Sequence, residues 1–210
     1  PRTSSAASDV YKRQVLDVRH QDEFAKKHIP RSIFIGIDGG FAPWVGTLIG
    51  DVKQPILLVT PEGREEETVT RLARVGFDNT LGYLEGGIAA WEASGKELDQ
   101  VESHTAHELK SHLLKEKSVI VFDVRQEGEY ISQHMSIAKH SPLNYINDYF
   151  DTFPKDKTFY IYCAGGYRSM IAASILKSRG VHNFIDVAGG FKAIQEAAID
   201  TTDYICPTTN

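Results

Sequence analysis

Cysteine is scarce in this sequence of 210 residues, which contains only Cys163 and Cys206. Two cysteines make no disulfide framework, and such scarcity is typical of a reducing cytoplasm. The sequence also lacks a run of 18 apolar residues, so it predicts no membrane-spanning helix. It lacks an excess of positive charge, since its formal net charge is −5, and this disfavours nucleic acid and anionic membranes as the main partners. We therefore expect a cytoplasmic protein that binds neither.

What the sequence does contain is an internal repeat. Residues 15–19 (VLDVR) match residues 121–125 (VFDVR), and residues 85–88 (EGGI) match residues 188–191 (AGGF). In both copies strand patterns alternate with helical patterns, which is typical of a mainly parallel sheet covered by helices on both faces. The sequence therefore predicts an α/β fold with two similar domains.

The two copies differ at their beginning. The second copy is preceded by a short extended piece and a helix with Thr105 as its N-cap and Glu108 at the third helical position, which is a capping box. No such segment precedes Val15, so we expect a fragment cut inside the first domain of a longer protein. Residues 1–13 show no periodicity, and we expect them to be an unrelated, disordered leader.

The candidate catalytic residue is Cys163. It follows an aromatic, apolar run at residues 159–162 (FYIY), and Gly165 and Gly166 lie between it and a run with helical periodicity. In such a strand–loop–helix turn the glycines let backbone N–H groups point at the sulfur, and the helix start adds positive charge. Both favour the thiolate, which is the nucleophilic form of cysteine. The alternative is an inert cysteine buried at the end of a strand.

The residues around this cysteine carry a family resemblance. Residues 163–168 (CAGGYR) resemble the active-site loop of the rhodanese-type sulfurtransferases. Residues 121–125, followed by Glu129 and His134, resemble that family's early strand and the segment after it, and residues 187–191 (VAGGF) resemble its late Gly-Gly turn. The combination is specific although no single piece is.

The resemblance implies where the chemistry takes place. Cys163 would be the catalytic nucleophile and would carry sulfur as a persulfide. The substrate would be bound by the rest of the loop, namely Ala164, Gly165, Gly166, Tyr167, Arg168 and Ser169. No metal or other cofactor is implied. Gln133 and Ile137 stand where the family usually has glycines, which predicts a differently built surface turn.

The implied reaction is the transfer of a sulfane sulfur. The Cys163 thiolate would take this sulfur from thiosulfate or a low-molecular-weight persulfide, and a thiol, sulfite or cyanide would then remove it. Arg168 would hold the anionic part of the donor through charge-assisted hydrogen bonds. Small sulfur donors and thiol acceptors are therefore the expected partners.

The first copy lacks the residues of this site. Thr60 stands in place of the cysteine, and Pro61 has no backbone N–H to offer. We therefore expect residues 14–97 to form a degenerate, inactive rhodanese domain and residues 98–210 to form an active one. Such a tandem resembles the C-terminal part of bacterial persulfide dioxygenase fusions, which implies a metallo-β-lactamase-type dioxygenase domain missing from this chain.

Two other functions stay open as alternatives. Protein tyrosine phosphatases also cradle an anion between a cysteine and an arginine at the head of a helix, and some share the rhodanese fold. They have five residues between the two, whereas Cys163 and Arg168 have four, and Tyr162 stands where phosphatases usually have histidine. The other alternative is a rhodanese domain that binds partners without catalysis.

Other polar residues have a structural interpretation. Asp123 and Arg125 recur as Asp17 and Arg19 in the copy without the cysteine, so we interpret them as structural pairs rather than catalytic groups. Cys206 could resolve a persulfide on the catalytic cysteine, but we interpret it as a passive thiol in a polar tail.

Three histidines precede the second copy. His107 and His112 are spaced to lie on different faces of a helix, and no cysteine or carboxylate completes a metal pattern with them and His104. We interpret this segment as a surface helix without a metal.

Overall fold

The structure is a computed structural model that describes residues 14–116 and 118–206. The expected leader, residues 1–13, lies outside the described residues. The chain divides into two compact units, Pro1–Gln100 and Val101–Asn210, and each is described by itself. No helix among the described residues is long and apolar enough to cross a membrane.

The first unit contains a four-stranded sheet. Its strands are β1 (Gln14–Asp17), β2 (Ile33–Phe34), β3 (Ile56–Val59) and β4 (Thr80–Tyr83), and its helices are α1 (Gln21–Lys26), α2 (Phe41–Leu48), α3 (Glu65–Ala73) and α4 (Gly87–Ala93). The strand order is β2-β1-β3-β4, and every pairing is parallel. Helices alternate with the strands because parallel neighbours require a crossover connection.

The second unit contains a five-stranded sheet. Its strands are β5 (Ser103–His104), β6 (Ile120–Asp123), β7 (Lys139–His140), β8 (Phe159–Tyr162) and β9 (Phe184–Val187), in the parallel order β5-β9-β8-β6-β7. Its helices are α5 (Ala106–Lys115), α6 (Glu127–Ser132), α7 (Ile146–Tyr149), α8 (Tyr167–Ser178) and α9 (Gly190–Glu196), with short 3-10 segments at Leu143–Tyr145 and Phe150–Thr152. The predicted α/β fold with two similar parallel units is confirmed.

The central strand of the second unit is β8, whose four residues are all buried. Tyr160 and Tyr162 pack on one face of the sheet with side chains of α5 and α9. Phe159 points to the other face, because side chains alternate along a strand, and contacts Phe122 and Phe153 there. Both faces of the sheet are therefore covered, and the carboxyl end of β8 delivers Cys163 to the edge of the sheet.

The capping box predicted at the start of α5 is present. Oγ1 of Thr105 accepts from the N–H of Glu108 at 3.3 Å, and the Glu108 carboxylate accepts from the N–H of Thr105 at 2.7 Å. These bonds, above all the one from the Thr105 backbone, hold the pKa of Glu108 below its ordinary value. Helix α5 is therefore anchored at its first residue by local side chains.

The turn after α6 forms without a glycine. Gln133 has a φ of −168°, which is extended backbone that any residue adopts. Its side-chain amide donates to the Thr201 hydroxyl and to the Thr202 carbonyl, both at 3.1 Å. Glutamine therefore ties this turn to the C-terminal segment of the second unit.

One strand and one helix distinguish the two units. In the second unit α5 covers Tyr160, whereas no strand or helix of the described residues 14–100 takes the place of β5 and α5. Among the described residues, the strand β4 is therefore at the edge of its sheet, with Tyr83 53% exposed. Beside it lies a groove of about 690 Å³ lined mainly by apolar side chains such as Leu57 and Trp91.

Candidate active site

Cys163 lies in the connection between β8 and α8, and it is 1% exposed. The N–H of Gly166 donates to Sγ of Cys163 at 3.1 Å. Gly166 has a φ of +102°, a conformation that favours glycine, and this turns its N–H back towards the sulfur. Helix α8 begins at the next residue and is twelve residues long, so its positive end adjoins the same loop. The amide and the helix end both stabilise negative charge on the sulfur.

The cysteine loop rests on the turn that begins α9. The N–H of Phe191 donates to the Cys163 carbonyl at 2.7 Å, and the N–H of Lys192 donates to the Ala164 carbonyl at 3.3 Å. Gly190 allows this approach, because a Cβ at that position would lie 2.3 Å from the Cys163 carbonyl oxygen. The late Gly-Gly turn therefore supports the backbone that carries the thiol.

Arg168 lies in the first turn of α8 and forms a bidentate ion pair with Glu129 of α6. The distances are 2.5 Å from Nη1 to Oε2 and 2.7 Å from Nη2 to Oε1. Burial would raise the pKa of Glu129, but the hydrogen bonds and charge of Arg168 outweigh burial and lower that pKa. The pKa of Arg168 is raised, first by its hydrogen bonds to Glu129 and in smaller part by Cys163. The resemblance assigns Arg168 to the anionic part of the donor. In the structure both of its terminal nitrogens are bound to the Glu129 carboxylate.

A second ion pair holds the end of β6. Arg125 donates from Nε and Nη2 to the fully buried Asp123 carboxylate, with the shortest contact at 2.6 Å, and from Nη2 to the Gln133 carbonyl at 2.7 Å. Burial would lower the pKa of Arg125, but the hydrogen bonds and charge of Asp123 outweigh it and raise that pKa. The pair joins β6 to the end of α6, which agrees with its structural interpretation.

The other predicted substrate-binding residues differ in exposure. Ser169 is buried, and its Oγ donates to the Gly166 carbonyl at 3.1 Å. Ala164 and Tyr167 are half-buried, and Gly165 is exposed. The structure therefore brings all the predicted residues together in the cysteine loop and the first turn of α8, where Ala164, Gly165 and Tyr167 form the accessible rim.

Cys206 lies in the C-terminal segment of the second unit. It is exposed, and no disulfide joins the two cysteines of the chain, both of which are described. The residue before it, Ile205, donates its N–H to the Ser132 carbonyl at the end of α6, at 2.8 Å. The passive role of this thiol stays a prediction.

Two of the three histidines meet at one phenol. His104 of β5 and His112 of α5 place Nδ1 at 3.1 Å and 3.0 Å from the Tyr160 hydroxyl. Their spacing in sequence does not indicate this contact, because Tyr160 comes from a distant strand. Within the described ranges, no group of three histidine, cysteine, aspartate or glutamate side chains is placed to hold a metal ion.

The corresponding loop of the first unit is filled by a carboxylate. Oε1 of Glu65 accepts from the N–H of Gly63 at 3.2 Å and from the Thr60 hydroxyl at 3.3 Å. Arg64 binds Asp38 and Glu67 at 2.6 Å and 2.9 Å. This loop therefore offers a negative oxygen where the second unit offers an N–H to a sulfur.

Two features of the second site were absent from the sequence analysis: Glu129 as the partner of Arg168, and Gly190 as the support of the Cys163 carbonyl. Opposite charge was the signal available for the ion pair. For Gly190 the only signal was the repeated Gly-Gly turn, which also occurs in the unit without a cysteine.

The chain resembles known proteins over both units. The family described as Rhodanese-like domain matches residues 4–94 and 105–197. An uncharacterised protein of Synechocystis, slr1261, is 33% identical over 89 residues, which are 42% of this chain and 50% of that protein. The thiosulfate sulfurtransferase GlpE of Coxiella burnetii is 28% identical over 80 residues, which are 38% of this chain and 75% of GlpE. The chain thus spans half the length of the first relative and three quarters of the second.

Two solved structures are also similar to this chain. The thiosulfate sulfurtransferase from Pseudomonas aeruginosa is 20% identical, with 92% of this chain and 41% of that chain covered and a TM-score of 0.44. A rhodanese-like domain protein from Staphylococcus aureus is 36% identical, with 45% of this chain and 91% of that chain covered and a TM-score of 0.43. Since the family match spans most of the sequence in two stretches, the chain belongs to the rhodanese-like domain family and contains two such domains.

Proposed function

We propose that this protein is a sulfurtransferase that carries a sulfane sulfur on Cys163 as a persulfide. The donor is thiosulfate or a low-molecular-weight persulfide, and the acceptor is a thiol, sulfite or cyanide. The proposal depends on one observation, the Gly166 N–H that lies 3.1 Å from Sγ of Cys163 at the head of α8. The name of GlpE, a thiosulfate sulfurtransferase similar to part of this chain, supports the same reaction.

In the first step the Cys163 thiolate attacks the outer sulfur of the donor. A sulfur–sulfur bond to Cys163 forms while the donor's own sulfur–sulfur bond breaks, and the electron pair leaves with sulfite or with a thiolate. The step needs no further oxidant, reductant or proton. The Gly166 amide and the start of α8 stabilise the negative charge that passes to the bound persulfide.

In the second step the acceptor attacks the outer sulfur of this persulfide, and Cys163 leaves as a thiolate. Donor and acceptor approach over the accessible rim of Ala164, Gly165 and Tyr167, since the sulfur itself is buried. The chain has only two cysteines, a scarcity typical of proteins of a reducing compartment, and we place the protein in the cytoplasm on that ground.

We assign catalysis to residues 98–210 and propose that residues 14–97 form an inactive domain. Thr60 stands in place of the nucleophile, and the Glu65 carboxylate accepts from Gly63, so an anionic donor would meet a like charge there. The first domain then contributes no sulfur transfer of its own.

Intact-mass spectrometry of the reduced chain tests the proposal. After incubation with thiosulfate or with a persulfide donor, the wild type and a Cys206→Ser control gain about 32 Da, the mass of one sulfur, and Cys163→Ser gains nothing, because sulfur is carried on the nucleophile alone. An adduct on Cys163→Ser, or no adduct on the wild type with either donor, would contradict the assignment.

A further inference from the structure

Ion pairing leaves the cysteine loop with little uncompensated charge. Arg168 is the only charged residue between Cys163 and Ser169, and both of its terminal nitrogens bind the Glu129 carboxylate. The Arg168 side chain is 17% exposed and that of Glu129 is 37% exposed, so solvent screens the pair only in part. A donor that reaches Cys163 therefore meets a compensated pair rather than an isolated cation.

Compensation acts differently on the two classes of donor. Thiosulfate carries two negative charges next to the sulfur that is transferred, whereas the persulfide of an uncharged thiol carries one at most. An isolated guanidinium favours the dianion through charge-assisted, bidentate hydrogen bonds. A carboxylate bound to the same two nitrogens takes up two of the five N–H donors of the guanidinium and opposes the dianion by like charge.

We propose that Glu129 determines the donor preference of this site, so that persulfides of small thiols load Cys163 faster than thiosulfate does. The inference rests on the proposed sulfur transfer at Cys163. Glu129 acts through Arg168 and is a positioning residue: it fixes the guanidinium against α6 and neutralises it. The bonds formed and broken in each step stay the same, and only the relative rates of the two donors change.

One other cation lies beside the loop and must be separated from this effect. Lys192 donates its backbone N–H to the Ala164 carbonyl, and its side chain is exposed. Salt screens an exposed charge more strongly than a part-buried one, so the dependence of loading on ionic strength distinguishes Lys192 from Arg168.

The test compares loading rates in Glu129→Gln and wild type. Loading of Cys163 is followed by intact mass with thiosulfate and with the persulfide of 2-mercaptoethanol, and the ratio of the two second-order rate constants is taken. We expect this ratio to rise about tenfold in favour of thiosulfate, because the charge of Arg168 is no longer compensated by a carboxylate. Glu129→Asp keeps the charge and should stay near the wild-type ratio.

A matched control is Glu127→Gln, two residues earlier in α6. Glu127 is exposed, and the substitution removes the same charge from the same helix. An equal rise in Glu127→Gln, or an unchanged ratio in a Glu129→Gln protein that still loads, would overturn the role of Glu129 and leave sulfur transfer at Cys163 intact. Failure of both donors to load the wild type would instead remove the proposed function itself.

A second test of the proposal does not need the Glu129→Gln variant, so it can be made even if that variant does not fold. With a compensated pair at the loop, the rate of loading by thiosulfate should fall less than about threefold between low and physiological ionic strength. A much steeper fall that persists in Lys192→Gln would show an uncompensated cation at the site other than Lys192, and it would contradict the proposal.

Discussion

At Gly87 and Gly190 the two units have almost the same backbone, with φ of +59° and +58°. A Cβ at Gly190 would lie 2.3 Å from the Cys163 carbonyl oxygen, whereas a Cβ at Gly87 would meet no atom within 4 Å. The first unit has thus kept the turn but not the loop that lies against it. The Gly-Gly turn is therefore part of the shared frame, and its contact with the cysteine loop is found in the second unit alone among the described residues.

The ion pairs at the ends of β1 and β6 also belong to the frame that the two units share. Arg19 binds Asp17 at 2.6 Å and the Lys27 carbonyl at 2.8 Å, as Arg125 binds Asp123 and the Gln133 carbonyl in the second unit. The loops after β3 and β8 differ, because a carboxylate lies in the first loop where the second loop carries a thiol. The Asp–Arg pairs that hold the strand ends are therefore common to both units, whereas the contacts of the loops after β3 and β8 are not.

The largest effect is expected from removing the aspartate of the ion pair that the two units share. Asp123→Ala leaves the Arg125 guanidinium buried without its partner and should destabilise the second unit by about 3–5 kcal/mol, and Asp17→Ala should do the same to the first. Hydrogen exchange resolved by peptide measures the stability of each unit separately. A single unfolding curve of a chain with two units does not separate them. A cost well below 1 kcal/mol for either variant would contradict the structural interpretation of the pair.

An intermediate effect is expected from alanine substitutions at the two equivalent glycines, Gly87 and Gly190. Gly87→Ala should cost about 1–2 kcal/mol, because alanine disfavours the left-handed backbone conformation. Gly190→Ala should cost about 1–3 kcal/mol more, because the methyl group collides with the Cys163 carbonyl. Hydrogen exchange of α4 and α9 measures both costs.

The same two variants have a functional readout. Loading of Cys163 with sulfur should fall at least about tenfold in Gly190→Ala, because displacement of the loop moves the sulfur away from the Gly166 amide, and it should stay unchanged in Gly87→Ala. If the two variants lose the same stability and load sulfur at the same rate, the contact between Gly190 and the cysteine loop contributes to neither.

The smallest expected effect concerns the helix that only the second unit shows among the described residues. Thr105→Ala removes the N-cap of α5 and should cost about 1 kcal/mol, whereas Thr105→Ser keeps the hydroxyl and should cost little. Because the pKa of Glu108 is lowered in the folded state, its contribution to the stability of α5 is fully present above a pH of about 4.3. That contribution is lost as the pH falls through the folded-state pKa. Exchange rates of the α5 amides, measured at neutral and acidic pH, report both changes, and equal rates in Thr105→Ala and wild type would contradict the cap.

Much of this architecture could be predicted from the sequence because the responsible signals are local. The repeat, the alternation of strand and helix, the capping box at Thr105 and the turn at Cys163 each occupy a few consecutive residues. Patterns of this kind depend on side-chain period, capping chemistry and glycine, which act over one or two turns of chain.

The contacts that distinguish the two units could not be predicted in this way. Glu129 and Arg168 lie 39 residues apart, and the meeting of His104 and His112 at Tyr160 spans 56 and 48 residues. Such contacts depend on how α5 and α6 pack on the sheet, which no local pattern encodes.

Glu65 makes a reactive cysteine hard to obtain in the first unit by a single substitution. A Thr60→Cys exchange would place a thiol beside a carboxylate, which disfavours the thiolate, and Pro61 would still withhold one N–H from the loop. A loop like that of the second unit would therefore need changes at Thr60, Pro61 and Glu65 together. The Glu65 carboxylate thus separates the two units further than the absence of a thiol alone does.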